Sequence, residues 1–212
     1  MERLSDAAFQ SLVTKLFGFS GNGYLNLAMR IVEPIRGATG SIGHNIATSF
    51  YVPVQNAPER LATRVVQTIS GTALLTMPVF LGLAACSDSI VAVLAGPQWS
   101  ESSRLAVYLA LAAAITSPTD FLHSALSARG RADLGVLAAV QELLVSVGSL
   151  WLLSGWGLVA VGLARLLSYA GDAIFALASA RAVVGTRIRD VVGAAWPADA
   201  PGVRGRPRPA PQ

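Results

Sequence analysis

Charged residues are scarce in this chain of 212 residues. Asp, Glu, Lys and Arg together make up 13% of it, whereas hydrophobic residues make up 53%. A soluble domain usually carries about 25% charged residues. So large an apolar content cannot all be placed inside one soluble core of this size. The composition therefore predicts a membrane protein, with lipid as the solvent around most of its surface.

Cysteine and histidine are equally scarce, which limits the chemistry open to the chain. The single cysteine, Cys86, excludes a disulfide within the chain, and two histidines distant in sequence offer no metal-ligand spacing. No Gly-x-Ser-x-Gly elbow occurs, and Gly21-Asn22-Gly23 lacks the lysine and Ser/Thr of a phosphate-binding loop. No basic patch is interleaved with aromatic residues, as nucleic-acid binding would require. We expect no enzyme activity, no cofactor and no nucleic-acid partner.

What the chain does contain is a series of apolar segments long enough to cross a bilayer. A hydrocarbon core of about 30 Å needs about 20 helical residues. Five segments reach this length, alone or with their flanks, and the first is the most polar: residues 24–51, 70–85, 105–122, 134–153 and 158–180. The predicted fold class is an all-α, polytopic transmembrane helical bundle of about five spans.

The composition also predicts how the chain is divided. Residues 20–190 contain the apolar segments and are expected to form the helical bundle, with residues 1–19 before it. Residues 191–212 are rich in Pro, Gly and Arg and are expected to form a disordered cytoplasmic tail. The first 20 residues do not have the layout of a secretory signal, because Glu2 and Asp6 dilute its positive end.

Arginine is unevenly distributed over the connections between these segments. Arginine-rich and arginine-poor connections alternate, as the positive-inside rule requires of successive spans. The connections of a soluble protein would have no reason to alternate in this way. The alternation places Arg60, Arg129 and Arg187 in the cytoplasm, and Asp88 and Trp156 outside.

Local breaks are predicted at three places. Proline at 78 and at 118 lies inside the second and third spans, where it would kink the helix by removing a backbone hydrogen bond. Residues 89–95 form an apolar run too short to span. They predict a separate, half-buried interfacial helix, with Trp99 at the level of the lipid headgroups.

The first span carries a polar face. Small and polar residues recur there at intervals of three and four, which places them on one side of a helix. The set is Asn26, Arg30, Glu33, Gly37, Gly40, His44 and Thr48. A charge at mid-membrane costs about 2.5 to 3.5 kcal/mol on insertion scales, so this face should meet protein or water. For His44 we favour a hydrogen-bonded packing role over a ligand or proton-coupling role.

The charges on this face suggest an anionic cargo. Glu33 lies three residues from both Arg30 and Arg36, and one acid against two arginines leaves a positive excess. A cavity wall with surplus guanidinium suits a phosphate or diphosphate, which arginine binds with two parallel hydrogen bonds. Two alternatives remain open: the three charges pair off between helices, or Arg30 extends to the outer interface.

A second polar set lies in the last two spans. Gln141 and Glu142 belong to the fourth span, whereas Arg165, Tyr169 and Asp172 share a face of the fifth. These spans run antiparallel through a short turn, so Glu142 and Arg165 fall within about one helical turn in depth. We favour a structural salt bridge between them, with contact to a cargo as the alternative.

Several ordered motifs resemble a known family. The stretch Gly23-Tyr24-Leu25-Asn26-Leu27-Ala28-Met29-Arg30, followed by Pro34 and Pro53-Val54-Gln55, resembles the start of the C-terminal half of Wzx-type polysaccharide flippases. These proteins belong to the multidrug/oligosaccharidyl-lipid/polysaccharide superfamily. Further motifs follow in the family's order: Arg60-Leu61, Met77-Pro78, residues 90–96 with Trp99, and Ala128-Arg129-Gly130-Arg131. The resemblance covers about residues 16–188.

The resemblance implies both a fold and a function. It implies that the bundle is part of a MATE-like transporter, and that residues 1–19 are the remnant of a preceding span. Such proteins are multi-pass proteins of the inner (plasma) membrane that move undecaprenyl-diphosphate-linked oligosaccharide repeat units outward by alternating access. Their partners are membrane lipids and this cargo, and they have a polar, often cationic, central cavity. The candidate substrate-binding residues are Asn26, Arg30, Glu33, Arg36, His44, Gln141, Glu142, Arg165 and Asp172.

Family members have two pseudo-symmetric halves with many more spans, and transporters of this type bind between repeats. We therefore expect a truncated protein or one half of a split transporter that works with a second half. Two alternative functions remain open. One is a MATE-like multidrug or cation antiporter that uses Glu142 or Asp172 as its membrane acid. The other is a non-transporting membrane remnant or assembly partner.

Overall fold

The predicted all-α fold is confirmed. The computed structural model describes residues 2–51, 58–120, 122, 126 and 133–184, and these contain helices and turns but no strand. Short 3-10 turns at Pro97–Trp99 and Ser154–Trp156 join two of the helix pairs. The helices are α1 (Glu2–Tyr51), α2 (Pro58–Leu94), α3 (Ser100–Thr116), α4 (Asp133–Leu153) and α5 (Val159–Val184).

Three helical stretches in the described residues are long and apolar enough to cross a membrane: Thr63–Leu94, Asp133–Trp156 and Val159–Ser179. They correspond to three of the five predicted spans, and α1 and α3 remain predictions as spans. Large apolar side chains are exposed on the outer faces of these helices, such as Leu75 on α2 and Leu144 on α4. Exposed apolar surface of this extent is unusual for a soluble monomer. The helices and their surface together indicate a membrane protein.

Helix α1 bends at Gly18, where the backbone has φ +71° and ψ −177°. A residue with a Cβ would be strained at such a positive φ, which explains why the bend occurs at a glycine. Residues 2–17 lie before it and pack into the same apolar core as the other helices, because Phe9 and Val13 are fully buried. This N-terminal segment is therefore part of the bundle.

Small residues bring the central helices together. Helix α3 packs against α1, α2 and α5, and it buries alanines such as Ala106, Ala110 and Ala113. On α5, a Cβ added at Gly162 would lie 2.3 Å from Cδ2 of Tyr108. Glycine and alanine allow helix backbones to approach closely, which is how helices associate in membranes.

The two arginine-poor connections lie at the same level of the bundle. Trp99, just before α3, packs edge-on against Tyr24 of α1, with ring centroids 5.5 Å apart. Leu158, just before α5, approaches Gly21, one turn away on the same helix. Because both contacts fall within one turn of α1, both connections lie on one side, as the alternation of arginine predicts.

Two predicted breaks differ from the structure. The prediction of a separate interfacial helix at residues 89–95 is wrong, because α2 continues without interruption to Leu94. The hydroxyl of Ser87 donates to the carbonyl oxygen of Leu83 at 2.7 Å, so this polar residue is accommodated inside the helix. Pro118 does not kink a continuing helix: α3 ends at Thr116, and residues 117–119 form turns. Proline lacks the N–H that a further helical turn would use.

Candidate functional site

The predicted pair between Glu142 and Arg165 is confirmed, and a third charge joins it. Arg165 of α5 is 1% exposed, although it carries a full positive charge. Its Nη2 lies 2.5 Å from Oδ1 of Asp6 in α1, and its Nη1 lies 3.7 Å from Oε1 of Glu142 in α4. Three helices thus place two carboxylates around one buried guanidinium, which compensates its loss of water.

Two aromatic rings complete the surroundings of this arginine. Cζ of Arg165 lies 4.2 Å from the centroid of the Phe9 ring and 5.8 Å from that of Tyr169. A second guanidinium, that of Arg36, lies 4.6 Å from the centroid of the Tyr169 ring, and its Nη1 donates to the Tyr169 hydroxyl at 2.9 Å. Tyr169 therefore lies between two cations, each stabilised by the electron-rich face of the ring.

The two polar sets predicted from distant parts of the sequence meet at Tyr169. On α1, Nη1 of Arg36 lies 3.9 Å from Oε1 of Glu33, so this pair extends the same group of charges. We call the whole group the Arg165 cluster. Its members are Asp6, Phe9, Glu33, Arg36, Glu142, Arg165 and Tyr169.

The charge balance of the cluster differs from the positive excess expected on α1 alone. Three carboxylates face two guanidiniums, because Asp6, from the part of α1 before Gly18, and Glu142 of α4 join Glu33. Arg30, which supplied the expected excess, is exposed. Within the described part of the chain, no ion pair involves its guanidinium.

The other candidates are not members of the cluster. The side-chain amide of Asn26 donates to the carbonyl oxygen of Asn22 at 2.8 Å, a bond within its own helix. Gln141 faces Gly171 of α5, where an added Cβ would lie 2.7 Å from its Nε2, and its Oε1 is buried without a hydrogen bond. Asp172 is half-buried on α5 and interacts electrostatically with Glu142. His44 belongs to α1, but its side chain lies outside the part that the structure describes.

Sequence reasoning missed Asp6 and Phe9. Residues 1–19 lack a long apolar run, so they were interpreted only as the end of another span. A signal was nevertheless present, because Asp6, Phe9 and Val13 are spaced by three and four and therefore share a helical face. That face is the one that packs on the bundle, since Phe9 and Val13 are both fully buried.

The chemistry available to this cluster is the recognition of charged groups. Among the described residues, no three His, Cys, Asp or Glu side chains are placed to hold a metal ion. Guanidinium groups beside aromatic rings are suited to oxyanions, which accept two parallel N–H bonds. Carboxylates are suited to protons or cations. The geometry therefore offers sites for charges of both signs.

Comparison with known proteins gives one match. Residues 1–104 match the model of a family described as polysaccharide biosynthesis protein. No curated protein and no solved structure matches the chain. The matched half contains α1 and α2, and with them Asp6, Glu33 and Arg36 of the cluster. Its similarity to this family indicates a role in polysaccharide synthesis or export.

Proposed function

We propose that this protein takes part in moving lipid-linked oligosaccharide or polysaccharide repeat units across the inner (plasma) membrane, as part of a flippase. The observation that carries the proposal is the match of residues 1–104 to polysaccharide biosynthesis proteins. A flippase must pass a polar headgroup through an apolar layer. Its helices therefore need polar groups at depth, and the Arg165 cluster supplies them.

The depth of the cluster supports this role. Glu142 lies near the middle of α4, about 14 Å from one end and about 16 Å from the other at 1.5 Å per residue. Charges at such depth in membrane helices are costly, and they commonly mark the path of an ion or substrate. The cluster also connects three helices, so a change of its contacts would be felt by all three.

Arg30 supplies a cation that the cluster has not neutralised. Its side chain is exposed on α1, one turn from Glu33, and is available to the diphosphate of a lipid-linked sugar. The proposed substrate-binding residues are Asn26, Arg30, Glu33, Arg36, His44, Gln141, Glu142, Arg165 and Asp172. An undecaprenyl-diphosphate-linked oligosaccharide is the proposed cargo, and a second transporter half is the proposed partner.

Arg30→Ala is expected to lower polysaccharide export roughly tenfold, the effect of losing one hydrogen bond to a charged group. The measurement is exported polysaccharide in cells that depend on this protein and its partner half, at equal membrane abundance. Arg104→Ala is the matched control, because Arg104 is also exposed but pairs with Glu101 at 3.2 Å. Equal export by Arg30→Ala and the parent would contradict a role for this side chain in the pathway.

One observation favours a second candidate, a MATE-like antiporter. The Arg165 cluster has more carboxylates than guanidiniums, as a site that exchanges protons or sodium ions would need. In that case Glu142 would be the coupling acid, with Asp172 close by.

Glu142→Gln separates the two candidates. If the protein is an antiporter, this change is expected to abolish drug-dependent proton or sodium exchange in proteoliposomes, because the amide cannot gain or lose a proton at neutral pH. Glu101→Gln, which changes a partly exposed carboxylate near the start of α3, is the control. Unchanged efflux in Glu142→Gln would reject the antiporter. Export and efflux that are both insensitive to every substitution would favour a non-transporting assembly partner.

A further inference from the structure

The two side chains of the ion pair between Asp6 and Arg165 differ strongly in their exposure. The side chain of Arg165 is 2% exposed, whereas that of Asp6 is 41% exposed. If the two separated, the partly exposed carboxylate could move away together with its helical segment. The guanidinium would stay buried, with Glu142 at 3.7 Å as its remaining carboxylate partner. A buried charge that loses its partner is expensive, so another anion should take the vacated position.

One hydrogen-bond donor of Arg165 also has no acceptor. Its Nη1 is buried without a hydrogen bond, because Oε1 of Glu142 at 3.7 Å is too distant to accept one. Buried donors in native structures are nearly always bonded, so an orphaned donor beside a charged pair points to a missing ligand. Phosphate offers three acceptor oxygens and could bond both nitrogens of the guanidinium at once.

The segment that carries Asp6 is joined to the rest of α1 by a natural hinge. Gly18 has a positive φ, and nothing lies within 4 Å of the place where its Cβ would be. Hinges are a few residues that absorb large changes of backbone angle, and a glycine can do so without strain. Asp6, Phe9 and Val13 hold the segment against the bundle on one face.

We infer that residues 2–17 are a hinged latch, and that the carboxylate of Asp6 occupies the oxyanion site of Arg165 when the latch is closed. A carboxylate and a phosphate bind guanidinium through the same N–H groups, so Asp6 and an oxyanion ligand compete. Binding of the ligand releases the segment, and departure of the ligand allows it to dock again. The inference rests on the proposed function for its choice of a diphosphate as the ligand.

Titration calorimetry on the purified chain in detergent, with inorganic pyrophosphate as the probe, tests the competition. Asp6→Asn is expected to bind pyrophosphate at least about tenfold more tightly than the parent, because the internal competitor has lost its charge. Arg165→Gln is expected to lose binding, and Glu101→Gln to leave it unchanged. Affinity that is no higher in Asp6→Asn, or that survives in Arg165→Gln, would overturn the inference.

Movement of the latch is tested independently of any change at Asp6. In a Cys86→Ser background, Val13→Cys places a thiol at a fully buried position of the segment. Pyrophosphate is expected to raise its labelling by a maleimide at least about threefold. This corresponds to a shift of about 0.65 kcal/mol in the equilibrium between the docked and the released segment. Val65→Cys, equally buried but on α2, is the matched control and should not respond.

The outcomes separate the latch from transport. Labelling of Val13→Cys that ignores pyrophosphate, or that rises equally in Val65→Cys, would refute the latch. Export that still depends on Arg30 in that case would leave the proposed transport function intact. If Asp6 and pyrophosphate compete as expected but cells export no polysaccharide through this protein, the latch stands and the proposed function is rejected.

Discussion

Arg165→Met is expected to lower the free energy of unfolding by about 3 kcal/mol, the effect of breaking a buried ion pair by removing one partner. Methionine fills much of the same space, so the loss comes from charge rather than from a cavity. Asp6 is 41% exposed, so its carboxylate can turn away from the core when the guanidinium is removed. The cost therefore falls on Glu142, whose side chain is only 16% exposed. The measurement is reversible unfolding by SDS in mixed micelles.

Two further variants show whether charge is the cause. Arg104→Met removes an exposed arginine paired with Glu101 on its own helix, and should change stability by less than about 1 kcal/mol. The double variant Arg165→Met/Glu142→Leu removes both inner charges, and should regain a large part of the loss. A double variant no more stable than Arg165→Met would mean that shape, not the orphaned carboxylate, sets the cost.

Gly162→Ala is expected to destabilise the bundle by about 2 kcal/mol, even though alanine is the better helix former. The added Cβ would lie 2.3 Å from Cδ2, 2.7 Å from Cγ and 2.9 Å from Cβ of Tyr108. The last of these atoms is fixed to the backbone of α3. Rotation of the ring cannot relieve the overlap, so α3 and α5 must move apart. The same SDS titration measures the effect.

Gly148→Ala is the matched control for this change. Gly148 also lies inside a helix, α4, but nothing is within 4 Å of the place where its Cβ would be. The substitution there should be neutral or stabilising by up to about 1 kcal/mol, because alanine loses less backbone entropy. Equal losses in the two variants would show that the contact between α3 and α5 does not limit stability.

The helices and one ion pair could be predicted from the sequence because both follow from local rules. Apolar runs of spanning length mark α2, α4 and α5. Glu142 and Arg165 lie at similar depths because a short turn joins two antiparallel helices, which fixes their relative height. The prediction of a separate helix at residues 89–95 is wrong because local polarity does not have to end a helix. The hydroxyl of Ser87, just before that run, is satisfied within α2 by the carbonyl oxygen of Leu83.

The assembly of the cluster could not be predicted in this way. Arg36 and Tyr169 are separated by 133 residues, and their contact depends on how α1 lies against α5. That arrangement is set by the packing of small residues on α3 and α5. The sequence shows which residues are small, but not the angle at which the two helices cross. Asp6 was missed because its segment has no apolar run of spanning length, although Phe9 and Val13 are fully buried on its core face.

The lengths of α2 and α3 have a consequence for the surrounding bilayer. At 1.5 Å per residue, the 37 residues of α2 measure about 55 Å and the 17 residues of α3 about 26 Å. A hydrocarbon layer of about 30 Å is thus far thinner than one helix and slightly thicker than its packing partner. The candidate span within α2, Thr63–Leu94, measures about 48 Å at the same rise, so tilt lets it fit the layer. The tilt of α2 is therefore coupled to acyl-chain length, and this hydrophobic mismatch makes the bundle sensitive to the thickness of its membrane.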